Sequence, residues 1–350
     1  MKMRLPKVSV VIPCKNVESI ISNCVESILN NNYPKELLEI VIVDDGCTDS
    51  TVHIVKKYSV RVIVHDCNLG RAKALNSGVF NAKGEIIVFT NADCVADREW
   101  IRRLVLRYSD DSVAGVGGRV INPKTSNHFL EFLRRLRYLE YDGDVPETSA
   151  PLPMSNVSYR GDVLLQVGGF DEDLKESGED QDIWVRVREK GYRVLYEKDA
   201  MIFHNHPTTD VKSFSKWWWL RGREFPRWLR KNPTRIQIKY RADLLVHSLP
   251  TYICLILILG TILSSFWGWT MMLLVSLPLV IYSAFLALLS RLDENRGKED
   301  RLITVKIQRF DLSELGAVEF VSMAMVGLLA SIAFTTGKLV GSLKYRFLVL

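Results

Sequence analysis

Gly84-Glu85-Ile86-Ile87-Val88-Phe89-Thr90-Asn91-Ala92-Asp93-Cys94 is the stretch that decides the fold. Ile86 to Thr90 is an unbroken apolar and β-branched run, the pattern of a strand buried on both faces. It stops at a polar tip. In an open α/β sheet, ligands sit beyond the carboxyl ends of the strands. Asn91 and Asp93 at such a tip have two readings. They make a turn after the strand, or they hold a hard cation that in turn holds a diphosphate. The tip alone leaves the two balanced.

Working outward, the same alternation continues. Val8-Ser9-Val10-Val11-Ile12-Pro13 reads as a first buried strand, followed by a helix to about Leu29 that Asn16 or Ser19 can cap. Glu39 to Val43 is a second strand ending in Asp44-Asp45-Gly46, and Asp49-Ser50 can cap the next helix. Val60 to Val64 is a third strand, and Asn68-Leu69-Gly70 turns into a helix from Arg71 to about Phe80. This pattern predicts βαβ units and a Rossmann-like, doubly wound, mostly parallel α/β sheet. Right-handed crossovers bring Asp44, Asp45, Asn68, Arg71, Asn91 and Asp93 to one sheet edge. The dinucleotide and P-loop readings lose their support, because no GxGxxG follows the first strand and no GxxxxGK(S/T) occurs.

Beyond residue 100 the spacing predicts a helix over Trp100 to Tyr108, a strand over Val113 to Ile121 and a basic helix over His128 to Tyr141. A loop from Pro146 to Pro153 leads to a strand at Asn156 to Tyr159, then a short helix from Gly161 to Val167 closed by Gly168-Gly169-Phe170-Asp171. Glu179-Asp180-Gln181-Asp182 precedes an amphipathic helix, Ile183 to Lys190. Acids there suit the helix dipole, yet three carboxylates in four residues exceed what a cap needs. Two short strands, Val194 to Tyr196 and Met201 to Phe203, lead into His204-Asn205-His206. Residues i and i+2 of an extended chain point to opposite sides, so at most one of the two histidines is a ligand.

Charge and hydropathy divide the 350 residues unevenly. The net charge of +6 is concentrated in Lys212 to Arg241, which holds ten Lys or Arg and one acid, Glu224. Trp217, Trp218, Trp219 and Trp228 interleave with it. Next to a long apolar run, this band suits a membrane interface better than nucleic acid. Leu244 to Leu263 and Phe266 to Leu289 each have the length and apolarity of a span. The charged stretch 291–311 is placed in the cytosol by the positive-inside rule. Residues 315–334, with Glu319 among them, read as a third span or a re-entrant segment before a basic tail. The organisation expected is a catalytic domain over 1–210, a basic Trp-rich interfacial segment over 211–243, two spans over 244–290, a cytosolic loop over 291–311 and the last segment over 312–350. Val8 to Ile12 is too short for a signal peptide, so the domain is expected on the cytosolic side of the cell membrane. Six cysteines without a CxxC pair read as reduced, cytosolic thiols, with neither a zinc site nor a disulfide framework expected.

An ordered set of motifs carries a resemblance. Val8 to Pro13, Val43-Asp44-Asp45-Gly46-Cys47-Thr48-Asp49, Asn68-Leu69-Gly70-Arg71-Ala72, Asn91-Ala92-Asp93, Gly168 to Asp171 and Gly178-Glu179-Asp180-Gln181-Asp182-Ile183-Trp184 together resemble the family 2 glycosyltransferases of GT-A fold, over roughly residues 7–225. That resemblance implies inverting transfer of a sugar from a nucleotide-diphosphate donor. It implies Pro13 and Asp44 or Asp45 around the base and ribose, and Arg71 near the base or diphosphate. Asn91 and Asp93 match the DxD motif that binds Mg²⁺ or Mn²⁺, and His204 falls near the metal. Asp180 matches the catalytic base, with Glu179 and Asp182 supporting. Ser155, Asn156, Trp217 and Arg221 fall on the acceptor side.

Such chemistry needs acidic groups on opposite sides of the sugar: one takes the acceptor proton, while the other side holds the cation on the leaving diphosphate. Two departures stand out. Asn91 replaces the first acid of DxD and leaves Asp93 as the main carboxylate. The QxxRW motif of processive synthases is absent, which argues for single-sugar addition. The expectation is a membrane-anchored enzyme acting on a hydroxyl of a lipid-linked or membrane-near acceptor. The alternatives are a polyprenyl-phosphate sugar synthase and an inactive subunit that binds sugar nucleotides.

Overall fold

A computed structural model describes residues 4–135, 148, 151–174, 177–207, 209–231 and 317–344. The two expected spans over 244–290 and the loop over 291–311 lie outside the described residues. The chain divides into two compact units, 1–213 and 214–350.

Unit one is built on an eight-stranded sheet. β1 (Val8–Cys14) pairs in parallel with β2 (Leu38–Asp44) and with β4 (Ile86–Phe89), and β2 pairs in parallel with β3 (Arg61–Val64). Their crossovers are α1 (Ile21–Leu29), α2 (Thr51–Val55) and α3 (Arg71–Asn81). The sequence explains this half directly. Val8, Val10 and Ile12 pack on one side with Ile21, Val25 and Ile28 of α1, while Val11 on the opposite face is also buried. β-branched side chains filling both faces are what a central parallel strand requires.

The second half is mixed. β7 (Val157–Arg160) runs antiparallel to β4 and to β6 (Val113–Ile121), and β6 runs parallel to β8 (Arg193–His204). The order is β3-β2-β1-β4-β7-β6-β8-β5. The two short strands expected over 194–203 are one strand, β8, whose register against β6 slips between Gly118 and Arg119. A bulge there hides the continuity from a period-2 reading. β5 (Cys94–Ala96) has no counterpart in the sequence reading; it pairs antiparallel with the end of β8, setting Cys94 opposite His204.

The helices α4 (Trp100–Val105), α5 (His128–Arg135) and α6 (Gly161–Gln166) complete the cover, and α7 (Glu179–Glu189) begins at the acids rather than after them. α1 has Ile20 at its N-cap and no side-chain cap hydrogen bond, so neither Asn16 nor Ser19 caps it. Asn16 adopts φ 51°, and its Oδ1 accepts from the Thr48 amide at 2.8 Å, tying the β1 tip to the β2 tip. Asn156 is fully buried, and both polar atoms of its side chain are hydrogen-bonded. Its Oδ1 accepts from Trp100 Nε1 at 2.7 Å, and its Nδ2 donates to the carbonyls of Arg119 and Ala200 at 2.8 and 2.9 Å.

Unit two contains most of α8 (Val211–Lys231) and a 28-residue helix, α9 (Ala317–Lys344). Gly222, Gly337 and Gly341 let the two backbones touch. A Cβ at these positions would run into the carbonyls of Phe334, Trp219 and Arg223 respectively. Small residues at a helix crossing give such close approach. Trp218 and Phe225 close over Phe334 at ring distances of 6.3 and 5.7 Å. Among the described residues, no helix is long and apolar enough to cross a membrane.

Asn156 makes a test of the core. Asn156→Ala strands one buried N–H and two carbonyls, each costing about 1 kcal/mol or more. The urea midpoint is expected to fall by an amount equivalent to roughly 3 kcal/mol, read by tryptophan fluorescence.

Candidate functional site

The carboxyl ends of β1 and β2 and the loop that follows β3 open on a cleft of about 500 Å³, lined by Pro13, Cys14, Lys15, Asp45, Leu69 and Arg71 among others. Of the two acids ending β2, Asp45 lines it. The Asp45 carboxylate accepts from the amides of Leu69 (2.8 Å) and Gly70 (3.0 Å) and lies 3.0 Å from His65 Nδ1. It thereby shapes the loop that walls the cleft. Asp44 is 2% exposed, and its Oδ1 accepts from the Cys47 amide at 2.7 Å.

Two helices begin at this edge, and a glycine launches each. Gly70 (φ 96°) precedes α3 and Gly178 (φ 98°) precedes α7. These angles place the chain where L side chains are strained, so the sharp entries need glycine. The first residues of the two helices, Arg71 and Glu179, then meet with Arg71 Nε 2.7 Å from Glu179 Oε1. On its other side, Arg71 Nη2 donates to Asn91 Oδ1 at 2.7 Å. One guanidinium thus joins the start of α7 to the tip of β4. That bond takes one of the two lone pairs of the Asn91 oxygen, the atom a cation would use.

Asp93 has a different neighbour. The β5–β8 pairing sets His204 beside it, with Nε2 3.2 Å from Asp93 Oδ1, and the Asn205 amide donates to the Asp93 carbonyl at 2.9 Å. His206 stacks against His204 at 5.1 Å, tilted by 58°. Burial alone would raise the Asp93 carboxyl. The hydrogen bond and charge of His204, followed by His206 and Arg71, outweigh it and hold the group below the usual carboxylate range. Asp93, Cys94 and His204 offer three donor atoms within 4.8 Å of one another. A partly open carboxylate and imidazole fit a divalent cation, whereas the Cys94 thiol is buried and pushed far up by desolvation, then by Asp93 and Cys24.

The remaining expected residues separate by environment. Asp180 is half-buried, and its Oδ1 accepts from the following amide, Gln181, at 2.9 Å. Asp182 is 3% exposed and bound by Arg186 of its own helix at 2.9 Å through Nε, and Arg186 Nη1 donates to the Val167 carbonyl at 2.6 Å. Ser155 is buried, and its carbonyl accepts from Thr90 Oγ1 at 2.9 Å beneath the β4 tip. Asn156 faces the core. Trp217 and Arg221 belong to unit two, where the guanidinium lies 4.6 Å from the Trp217 ring centre.

Sequence reasoning missed Lys15 and Asn122. Lys15 follows the Pro13-Cys14 tip directly and brings a cation to the cleft. Asn122 follows β6 at the same sheet edge, one residue past the Ile121–Phe203 pair that precedes His204. It is 8% exposed, and neither side-chain polar atom has a hydrogen-bond partner among the described residues. A buried amide without a protein partner is one that a water, an ion or a ligand can satisfy.

Comparison with known proteins follows the same line. The sequence matches the family models described as Glycosyl transferase family 2, over residues 9–157, and Glycosyl transferase family group 2, over residues 86–289. The probable glycosyltransferase YdaM of Bacillus subtilis is 32% identical over 65% of this chain and 56% of its own length, so the chain spans about half of that relative. The glucosyl-dolichyl phosphate glucuronosyltransferase of Haloferax volcanii is 29% identical over 60% of this chain and 72% of its own. In three dimensions the chain is similar to the mannosyltransferase PcManGT of Pyrobaculum calidifontis, at a TM-score of 0.63 and 19% identity, covering 95% of this chain and 87% of that one.

The division of labour at the β4 tip gives a prediction. Asp93→Ala and His204→Ala should each weaken Mn²⁺ binding roughly tenfold or more, as loss of a ligand or its close support does. Asn91→Ala should change it by less than about threefold, because its oxygen serves Arg71. Electron paramagnetic resonance of free Mn²⁺ reads all three.

Proposed function

Because the chain belongs to the glycosyl transferase family group 2, we propose that it transfers a glycosyl group from a nucleoside diphosphate sugar to an acceptor hydroxyl, with inversion. The observation that carries this reading is the Glu179–Arg71–Asn91 bridge. It joins the start of α7, where the half-buried Asp180 follows Glu179, to the start of α3 beside the cleft and to the tip of β4 just before Asp93.

In this reading the nucleoside lies between Pro13 and the loop 68–71, with Asp45 holding that loop. Arg71 and Lys15 supply positive charge toward the diphosphate. Asp93 and His204 hold the cation, which when bound neutralises charge on the leaving diphosphate. Both Mn²⁺ and Mg²⁺ accept a carboxylate, and the imidazole favours Mn²⁺. The Pyrobaculum mannosyltransferase of the same fold is described in complex with GDP-Man and Mn²⁺, a ligand pair that suits this arrangement. Asp180 accepts the proton of the attacking hydroxyl. Glu179 acts through Arg71, and Asp182 stiffens α7 through Arg186. Asn122 offers its amide to the sugar or the acceptor.

A lipid-linked acceptor at the cytosolic face of the membrane completes the proposal. Its support is the basic, tryptophan-rich segment before two apolar stretches at 244–263 and 266–289, and a relative whose name describes transfer onto a dolichyl phosphate sugar. Holding the domain at the membrane would raise its effective concentration near such an acceptor.

Removing a general base slows transfer by about 10²–10⁴-fold. Asp180→Asn should therefore lose transfer of radiolabelled sugar to an extracted lipid fraction by at least roughly a hundredfold, while nucleotide-sugar affinity stays within about threefold. Transfer at the wild-type rate would remove Asp180 from this role. Binding without any transfer by the wild-type chain would favour an inactive sugar-nucleotide-binding subunit.

A further inference from the structure

A second group of metal-ligating side chains lies on the β1–β2 side of the cleft. Cys14 ends β1 and Asp44 ends β2, and the two are cross-strand partners. Cys47 sits three residues further on, its amide already bound to Asp44 Oδ1. The two sulfurs and a carboxylate oxygen all lie within 4.8 Å of one another. A tetrahedral zinc ion sets such donors about 3.5–3.8 Å apart, within reach of small side-chain rotations. We propose that Cys14, Asp44 and Cys47 form a site for a thiophilic divalent cation of the zinc class, chemically distinct from the Asp93–His204 pair.

Three further observations support it. Asp44 is 2% exposed, and no ion pair neutralises it among the described residues. A carboxylate taken out of water without a counter-charge is costly, and a bound cation supplies one. The Asn16 amide donates to Cys47 Sγ at 3.1 Å, an outer contact that steadies a thiolate ligand. Access exists as well, since Cys14 lines the cleft and Cys47 is partly exposed. Soft sulfur ligands select zinc-like ions, whereas the carboxylate and imidazole of the other pair suit Mn²⁺.

The protons balance simply. Without metal both thiols are protonated. Burial, then Cys47 and Asp44, push Cys14 up; burial, then the hydrogen bond with Asp44, push Cys47 up. One divalent cation displaces both thiol protons, and the site keeps the single negative charge that Asp44 carried alone. Because binding displaces thiol protons, affinity rises with pH. Three protein donors leave a fourth position for water or another ligand, and Cys14 lines the cleft. On the donor reading above, a cation here opposes nucleotide binding.

The test needs no nucleotide, so its failure says nothing about transfer. The reduced full-length chain is titrated with Co²⁺ under anaerobic conditions, following the near-ultraviolet thiolate-to-cobalt absorption. The expected result is a saturable band at about one equivalent, displaced by Zn²⁺, lost in the Cys14→Ser/Cys47→Ser double variant and kept in Cys67→Ser and His204→Ala. No band in the wild-type chain, or a band that survives the double variant, overturns the proposal. A measurement without variants covers a double variant that fails to fold. One equivalent of Zn²⁺ should slow alkylation of Cys47 and leave that of the exposed Cys67 unchanged, as read by peptide mapping. Unslowed Cys47 overturns the site.

Discussion

The guanidinium of Arg71 is the constraint on which the polar edge of the sheet depends. It lies 2.7 Å from Glu179 on one side and donates to Asn91 at 2.7 Å on the other. Three segments distant in sequence, the starts of α3 and α7 and the tip of β4, are thereby held together. Arginine suits this because its planar fork presents several donors in fixed directions, which a lysine ammonium does not. The Glu179 side chain is only 8% exposed, so the ion pair sits in a poorly solvated place where salt screens it little. The glycines before each helix make the meeting possible, since both chain entries use φ near +97°.

Asn91 gains a physical explanation from the same bridge. An acid at this position would meet Arg71 as a second carboxylate beside Glu179. The neutral amide accepts the one hydrogen bond and leaves the ion pair to Glu179. On the proposed reading the cation role then rests with Asp93, which His204 approaches from β8. Residues that look interchangeable in the run Glu179-Asp180-Gln181-Asp182 are thus placed in three environments: one bridging, one half-buried at the helix start, one bound along its own helix by Arg186.

Much of this was legible in the sequence. Unbroken β-branched runs place β1, β2 and β4, and the polar residues at their ends mark the edge that carries the cleft. Other features were not. β5 has three residues, too few for any period to register, yet it brings His204 to Asp93. β8 reads as two strands because a bulge interrupts its alternation. Asn156 precedes a strand at the right edge, but which way its amide turns depends on Trp100 and on two distant carbonyls. Asn122 shows only as the residue after a strand, and its orphan amide needs the packed neighbours to be seen.

The most direct test of the account is a structure of the full-length chain with Mn²⁺ and a nucleoside diphosphate sugar. The account predicts the nucleoside between Pro13 and Leu69, the cation on Asp93 and His204, Asn91 still bonded to Arg71, and Asp180 across the sugar from the diphosphate. A nucleotide outside this cleft, or a cation ligated by Asn91 with the Arg71 bridge broken, would contradict it.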